Sequence, residues 1–226
     1  RVALTDIWGI GRRLSARLEP HGIRDARALK HADRDFVRRK LGVPGLHIAL
    51  ELAGRPCLGL EEVPAPKKAI CSSRSFGRPV TRLAELKEAV ASHAARAAEK
   101  LRAQGSVAAG ILAFIQTNRF KEGEPQYANA ANQALPAPTA DTAALIEAAH
   151  AALERIHRPG FSYKKVGVLL TGIEQESGRQ LSLLAPPAEA RRARLMAALD
   201  AVNARWGRSS LAPAAAGIAP EWSMRR

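Results

Sequence analysis

The sequence predicts an α+β chain: a small helical unit, a split β-α-β-β-α-β unit with a four-stranded antiparallel sheet, and then an irregular and helical tail. Three observations lead there. Apolar residues of positions 1–56 recur at helical spacing between glycines. Two longer stretches, beginning near Leu83 and Thr139, repeat apolar residues every three or four positions. Four runs around them read as strands. Strand, helix, strand, strand, helix, strand is the split arrangement in which two helices cover one face of the sheet and leave the other free.

In residues 1–56, Leu14, Leu18, Ile23, Leu29, Phe36, Leu41, Ile48 and Leu52 can supply a small core, and Gly54-Arg55-Pro56 stops the last helix. Residues 57–68, polar and proline-containing, read as an extended tether. Residues 69–173 make the second unit. It opens with a strand over Ile70–Phe76 closed by Gly77 and Pro79, and Thr81 is placed to cap a helix carrying Leu83, Leu86, Val90, Ala94, Ala97 and Leu101 on one face. Gly105 ends that helix, and Val107–Thr117 and the weakly alternating Gln126–Leu135 follow as strands. A helix over Thr139–His157 and a strand over Val166–Thr171 complete the set. In the tail, 174–226, a helix is expected around Ala188–Trp206, whereas Gly207–Arg226, rich in Ala, Pro and Gly, is expected to pack loosely or to be disordered.

The formal net charge is +14, from 35 Lys and Arg against 21 Asp and Glu, which points to a polyanion or an anionic surface. Nucleic acid is favoured over a membrane. No stretch approaches the ~20 apolar residues of a spanning helix, and the basic residues run through the folded regions. Cys57 and Cys71 are too few for a metal quartet or a disulfide framework, so both are expected as free thiols in a reducing cytoplasm. No signal peptide is evident, and Arg1 stands directly before a structured motif, as though an upstream segment had been cut away. Carboxylates never form the strand-borne set that holds two magnesium ions, and His93 and His150 fall singly at helix surfaces or boundaries. Neither a Walker loop nor a nucleophile elbow occurs, so no catalytic residue, metal or cofactor is expected in this chain.

Three motifs carry chemistry. In Ile7-Trp8-Gly9-Ile10-Gly11 the glycines suit the hairpin of a helix-hairpin-helix: Gly9 and Gly11 let backbone approach a phosphate, and Arg12 and Arg13 add charge at the same edge. In the strand at Ile70, period two puts Ile70, Ser72, Arg74 and Phe76 on one face and Cys71, Ser73 and Ser75 on the other. Ser72, Ser73, Arg74 and Ser75, with Asn118, Lys164 and Lys165 on the same sheet, suit phosphate positioning rather than base reading. Gln180-Leu181-Ser182-Leu183-Leu184, bounded by irregular segments and Pro186-Pro187, has the form of a short apolar docking peptide. Each has a plainer reading: a turn between core helices, solvated edge residues, and a segment folded onto its own core.

The same residues resemble the Y-family of translesion DNA polymerases, and within it the UmuC type. Val2 to Arg13 looks like the start of the thumb domain, Leu50 to Leu58 like its exit, and Ser73-Arg74-Ser75-Phe76-Gly77 like the opening strand of the little finger. Ala94 to Arg102 is similar to the little finger's first helix, and Lys164-Lys165-Val166-Gly167-Val168 to its closing strand. Gln180 to Leu184 resembles the sliding-clamp-binding peptide, with Leu184 where Phe is frequent, and Asn203 to Arg208, Gly217-Ile218 and Trp222 to Arg225 resemble the added C-terminal region of UmuC-type proteins.

The resemblance implies a chain that binds primer-template duplex and the bacterial sliding clamp in SOS mutagenesis and DNA repair, near the nucleoid. A cleaved accessory dimer and a recombinase filament are further partners it brings into view. It also implies that the palm and fingers, with the magnesium-binding carboxylates, lie upstream of Arg1. Such a chain is inactive alone as a polymerase. The alternative is a stand-alone regulatory module that binds DNA and clamp.

Overall fold

The computed structural model describes residues 2–59, 65–178, 188–218 and 222. The chain divides into two compact units, Arg1–Pro64 and Ala65–Arg226.

In the first unit a 3-10 turn (Leu4–Asp6) precedes α1 (Arg12–Leu18), α2 (Ala26–His31) and α3 (Arg34–Leu52). Two aspartates start the later helices. Asp25 accepts from the Ala28 amide at 2.8 Å and Asp33 from the Phe36 amide at 2.7 Å, each satisfying a donor that the first helical turn leaves open. Glycine breaks α3 at Gly42, where φ is 74°. Leu4, Ile10, Leu18, Ile23, Leu29, Val37 and Ala49 form the buried core, with Leu14, Phe36, Leu41, Ile48 and Leu52 packed against it.

The expected helix before the Gly9 hairpin is absent. Val2 and Ala3 are committed to the segment before α2, where Ala3 bridges Asp25 and the Ala26 amide donates to the Val2 carbonyl at 3.0 Å. Only one 3-10 turn then fits before Ile7, which leaves in an extended conformation.

The second unit orders β1 (Ile70–Val80), α4 (Leu83–Ala103), β2 (Ser106–Thr117), β3 (Ala128–Thr139), α5 (Thr142–Ile156), β4 (Tyr163–Gln175) and α6 (Ala188–Trp206). All strand pairings are antiparallel, in the order β1-β4-β2-β3, so each β-α-β connection straddles a third strand. The α+β class and the split sheet expected from the sequence are present. Ile70, Phe76, Ile111, Ala113, Ile115, Val166, Val168 and Leu170 point toward α4 and α5, whose Leu86, Val90, Ala94, Leu101, Leu145, Ala149 and Leu153 meet them. Alanine fills many of the helix positions, which lets the helices lie close to the sheet.

Two local expectations change. Gly77 and Pro79 do not close β1: the strand runs on to Val80, its register with β4 shifting between Ser75 and Val80. The N-cap of α4 is Arg82 rather than Thr81 and makes no side-chain cap; Glu85 in the first turn instead accepts from Arg82 and from Arg78, the latter at 2.7 Å. Burial alone would raise the Glu85 carboxyl, but these two guanidiniums outweigh it and hold the pKa below its usual value.

The tail packs more firmly than its composition suggests. Arg102 of α4 makes a bidentate pair with Asp200 of α6 at 2.7 Å to each oxygen, and also donates to the Ala140 carbonyl and the Thr142 hydroxyl. Met196 is buried over the Thr142 amide. Beyond α6, a 3-10 turn (Ala214–Ala216) lies on α4, where Ser92 donates to the Ala216 carbonyl at 3.4 Å. Trp222 is 6% exposed and sits edge-on to Phe76, its carbonyl accepting from the Gly77 amide. Ala216 and Trp222 are thus anchored, while residues 207–212 and Ile218 are exposed, as the loose packing expected of this stretch implies. A few aromatic and aliphatic anchors decide docking where average composition does not.

Candidate nucleic-acid interface

In the first unit the candidate residues gather around one turn. Gly9 adopts φ 90°, and a Cβ there would lie 2.9 Å from the Ile48 side chain, so both the turn's hand and its closeness to α3 call for glycine. Gly11 is extended and caps α1 with open space around it. Arg12 and Arg13 follow, exposed. Ile10 points into the core and Trp8 points out, 96% exposed. Sequence reading placed Trp8 in the motif without giving it a role. Its signal was an aromatic between two core isoleucines at a turn that cannot bury all three.

In the second unit, register assigns the residues to faces. Opposite the helices run three cross-strand rows: Ser75, Lys165, Gln116 and Ala128; Ser73, Gly167, Phe114 and Ala130; Cys71, Leu169, Leu112 and Asn132. None of these positions carries a carboxylate. Ser73, Ser75 and Lys165 of the predicted set therefore share the open face.

The other predicted residues lie elsewhere. Ser72 is 9% exposed on the helix side, its hydroxyl 3.2 Å from Nδ1 of His93 on α4. That removes it from any surface interface, because alternation along β1 turns it under the helix layer. Arg74 shares Ser72's face but sits at the edge, exposed. Lys164 donates to the Phe76 carbonyl at 2.6 Å, where the β1 irregularity frees that acceptor. Asn118 shapes the β2–β3 loop: its side chain accepts from the Phe120 amide at 3.2 Å, and its carbonyl from Gln126 at 3.2 Å. That loop holds Phe120 79% exposed, with the Arg119 guanidinium 4.9 Å from the ring centre. Gln180, Leu181, Ser182, Leu183 and Leu184 lie outside the described residues.

His93 is more enclosed than a helix-surface histidine. Burial, and then the Arg74 guanidinium, push its pKa down to about 4, so the ring is neutral near pH 7. Its Nε2 and the Trp222 Nε1 are both buried without a partner. His150 takes the boundary position expected, its Nε2 3.0 Å from the Lys87 carbonyl. Cys57 and Cys71 are free thiols. Among the described residues no helix is long and apolar enough to cross a membrane, and no group of three His, Cys, Asp or Glu is placed to hold a metal.

Comparison with known proteins adds a family context. Residues 67–183 match the impB/mucB/samB family C-terminal domain, and residues 193–226 match a domain of unknown function (DUF4113). Protein SamB of Salmonella typhimurium is 41% identical over 223 residues, covering 98% of this chain and 52% of SamB. Protein UmuC of Salmonella typhimurium strain LT2 is 39% identical over 226 residues, 100% of this chain and 54% of UmuC. Protein MucB of Escherichia coli is 39% identical over 227 residues, 100% of this chain and 53% of MucB. The chain thus spans about half the length of the curated relatives it matches. Among solved structures, an insertion ternary complex of Dbh DNA polymerase aligns over 77% of this chain and 48% of that one, at 14% identity and a TM-score of 0.39, too slight a likeness to argue from.

Proposed function

Because the chain belongs to the impB/mucB/samB family, we propose that it is the DNA-gripping and clamp-docking portion of an error-prone translesion DNA polymerase of the SOS response. The observation that carries the reading is the open sheet face. Helices cover its other side, no carboxylate interrupts it, and it belongs to a chain of net charge +14. A polyanionic backbone laid on it meets hydroxyls and an ammonium but no like charge.

The first unit supplies a second contact. Gly9 and Gly11 leave the backbone of the turn open to a phosphate, and Arg12 and Arg13 neutralise it. On the sheet, Ser73, Ser75 and Lys165 position the sugar-phosphate strand, and Arg74 and Lys164 add charge from the β1 edge. Such contacts are nearly independent of sequence. The palm and fingers with their magnesium ions belong to the parent polymerase in this reading, and this chain has no catalytic residue of its own.

Titration of primed duplex against salt tests the grip. Each phosphate neutralised adds about 0.9 to the slope of log affinity against log salt, so a steep fall in affinity is expected. Lys165→Ala should shallow the slope by about one unit. A flat titration, or no affinity at low ionic strength, sinks the proposal. For the docking peptide, changing Gln180, Leu181 and Leu183 together to Ala should abolish sliding-clamp binding while leaving duplex affinity within about twofold. Retained clamp binding in that variant would move the docking site elsewhere.

A further inference from the structure

Phe114 sits on the open face in a bed made for it. Gly167 is its cross-strand neighbour on β4, and a Cβ on Gly167 would come within 2.5 Å of the tip of the Phe114 ring and 2.3 Å of the Ser73 Cβ. The ring therefore leans across the neighbouring strand, into the space that every residue except glycine would fill. Phe114 is partly exposed there. The adjacent positions on the strand, Ala113 and Ile115, are buried under the helices. The Lys165 ammonium lies over the ring, 5.9 Å from its centre, and the amides of Gln116 and Asn132 occupy the flanking rows.

We infer that this is a stacking platform for an unpaired nucleotide, a single-stranded segment of DNA lying across the sheet. Paired bases in a duplex have no free π-face, so phosphate positioning alone has no use for an aromatic ring leaning over the middle of the surface. Unpaired bases do have one, and aromatic side chains on open sheets hold them without reading sequence. Charge selects the same occupant. Lys165 holds an ammonium over the ring, which an incoming base would displace toward its own phosphate; the surrounding rows hold no carboxylate, and the chain as a whole is strongly cationic. Gln116 and Asn132 offer donors and acceptors to a base edge. The inference rests on the proposal that the open face meets DNA, and adds that part of that DNA is single-stranded.

The test uses the full chain with three probes: a twelve-residue oligo-thymidine, the same strand with one central 2-aminopurine, and a blunt duplex of equal length. Phe114→Leu keeps the apolar volume and the fold but removes the stacking face, and Phe114→Trp keeps the face. Stacking predicts that Phe114→Leu binds the single strand about tenfold more weakly and loses the change in 2-aminopurine emission, while Phe114→Trp preserves both and duplex affinity moves less than twofold. Single-strand affinity and 2-aminopurine emission unchanged in Phe114→Leu would overturn the platform and leave the duplex grip standing. A platform that behaves as expected, beside a duplex titration without salt dependence, would remove the grip instead. If Phe114→Leu alters only self-association, seen by sedimentation, the occupant is a second copy of this chain and the inference fails.

Discussion

The two faces of the sheet are built from neighbouring residues of the same strands, yet they are held to different standards. On β2, Ala113 and Ile115 are buried beneath α4 and α5, while Phe114 between them is half-exposed. On β1, Ser72 is enclosed beside His93, while Ser73 and Ser75 face outward. The covered face is a packing problem, solved with Val, Ile, Leu and Ala and closed further by Trp222. The open face mixes hydroxyls, amides and one ammonium with Leu112, Leu169, alanines and the Phe114 ring leaning over Gly167. Chemistry that looks alike in the chain, two serines or two apolar residues in succession, is therefore packed away on one side and left accessible on the other.

The largest expected effect tests that contrast directly. Ile115→Ala should cost about 3–4 kcal/mol of stability, because it opens a cavity in a close-packed layer, whereas Phe114→Ala, removing the larger side chain, should cost only about 1 kcal/mol. Denaturant melts of the two variants give the comparison, and equal losses would mean that the open face is packed as core. Next is Arg102→Ala, which strands Asp200 and leaves the Ala140 carbonyl without its donor. About 2–3 kcal/mol should be lost, discounted from the usual value for a buried pair because the Asp200 side chain is 31% exposed. Protection of α6 amides from hydrogen exchange should fall with it.

A smaller effect depends on pH. His93 has a folded pKa near 4 against 6.5 when free, so between those values the unfolded chain holds a proton that the folded chain does not. Its contribution is whole above pH 6.5 and drains away as the pH falls toward 4, about 2 kcal/mol of it being lost by pH 5. His93→Gln should flatten that part of a stability profile measured between pH 7 and pH 5. The smallest effect is expected outside both faces. Lys87 and Glu154 pair at 2.5 Å on the helix surface, and breaking the pair with Lys87→Ala should leave the denaturation midpoint unchanged within measurement error.

Much of the fold was legible because helices and strands announce themselves by period. Leu18, Ile23 and Leu29 were readable as core from spacing alone, as was the split order of strands and helices. Period two along β1 also separated Ser72 and Arg74 from Ser73 and Ser75, but it could not say which set the helices would cover. Lys164 was legible as basic and strand-borne; its bond to the Phe76 carbonyl was not, because it depends on a break in register between strands far apart in the chain. Phe114 was hidden in an apolar run that reads as buried throughout. Trp222 was hidden in a tail whose composition resembles a disordered one.

Charge, the glycine at the Gly9 turn and the element order follow from the amino acids themselves, since local sterics and ionisation need no partner. Which sheet face is bare, that Gly167 makes room for the Phe114 ring, that Ser72 is enclosed and that Trp222 docks on Phe76 were decided only when β4 inserted between β1 and β2 and the helices settled on one side. These are contacts between residues distant in sequence, and a linear pattern fixes the alternation of side chains along a strand but not which neighbours the fold will bring across from them.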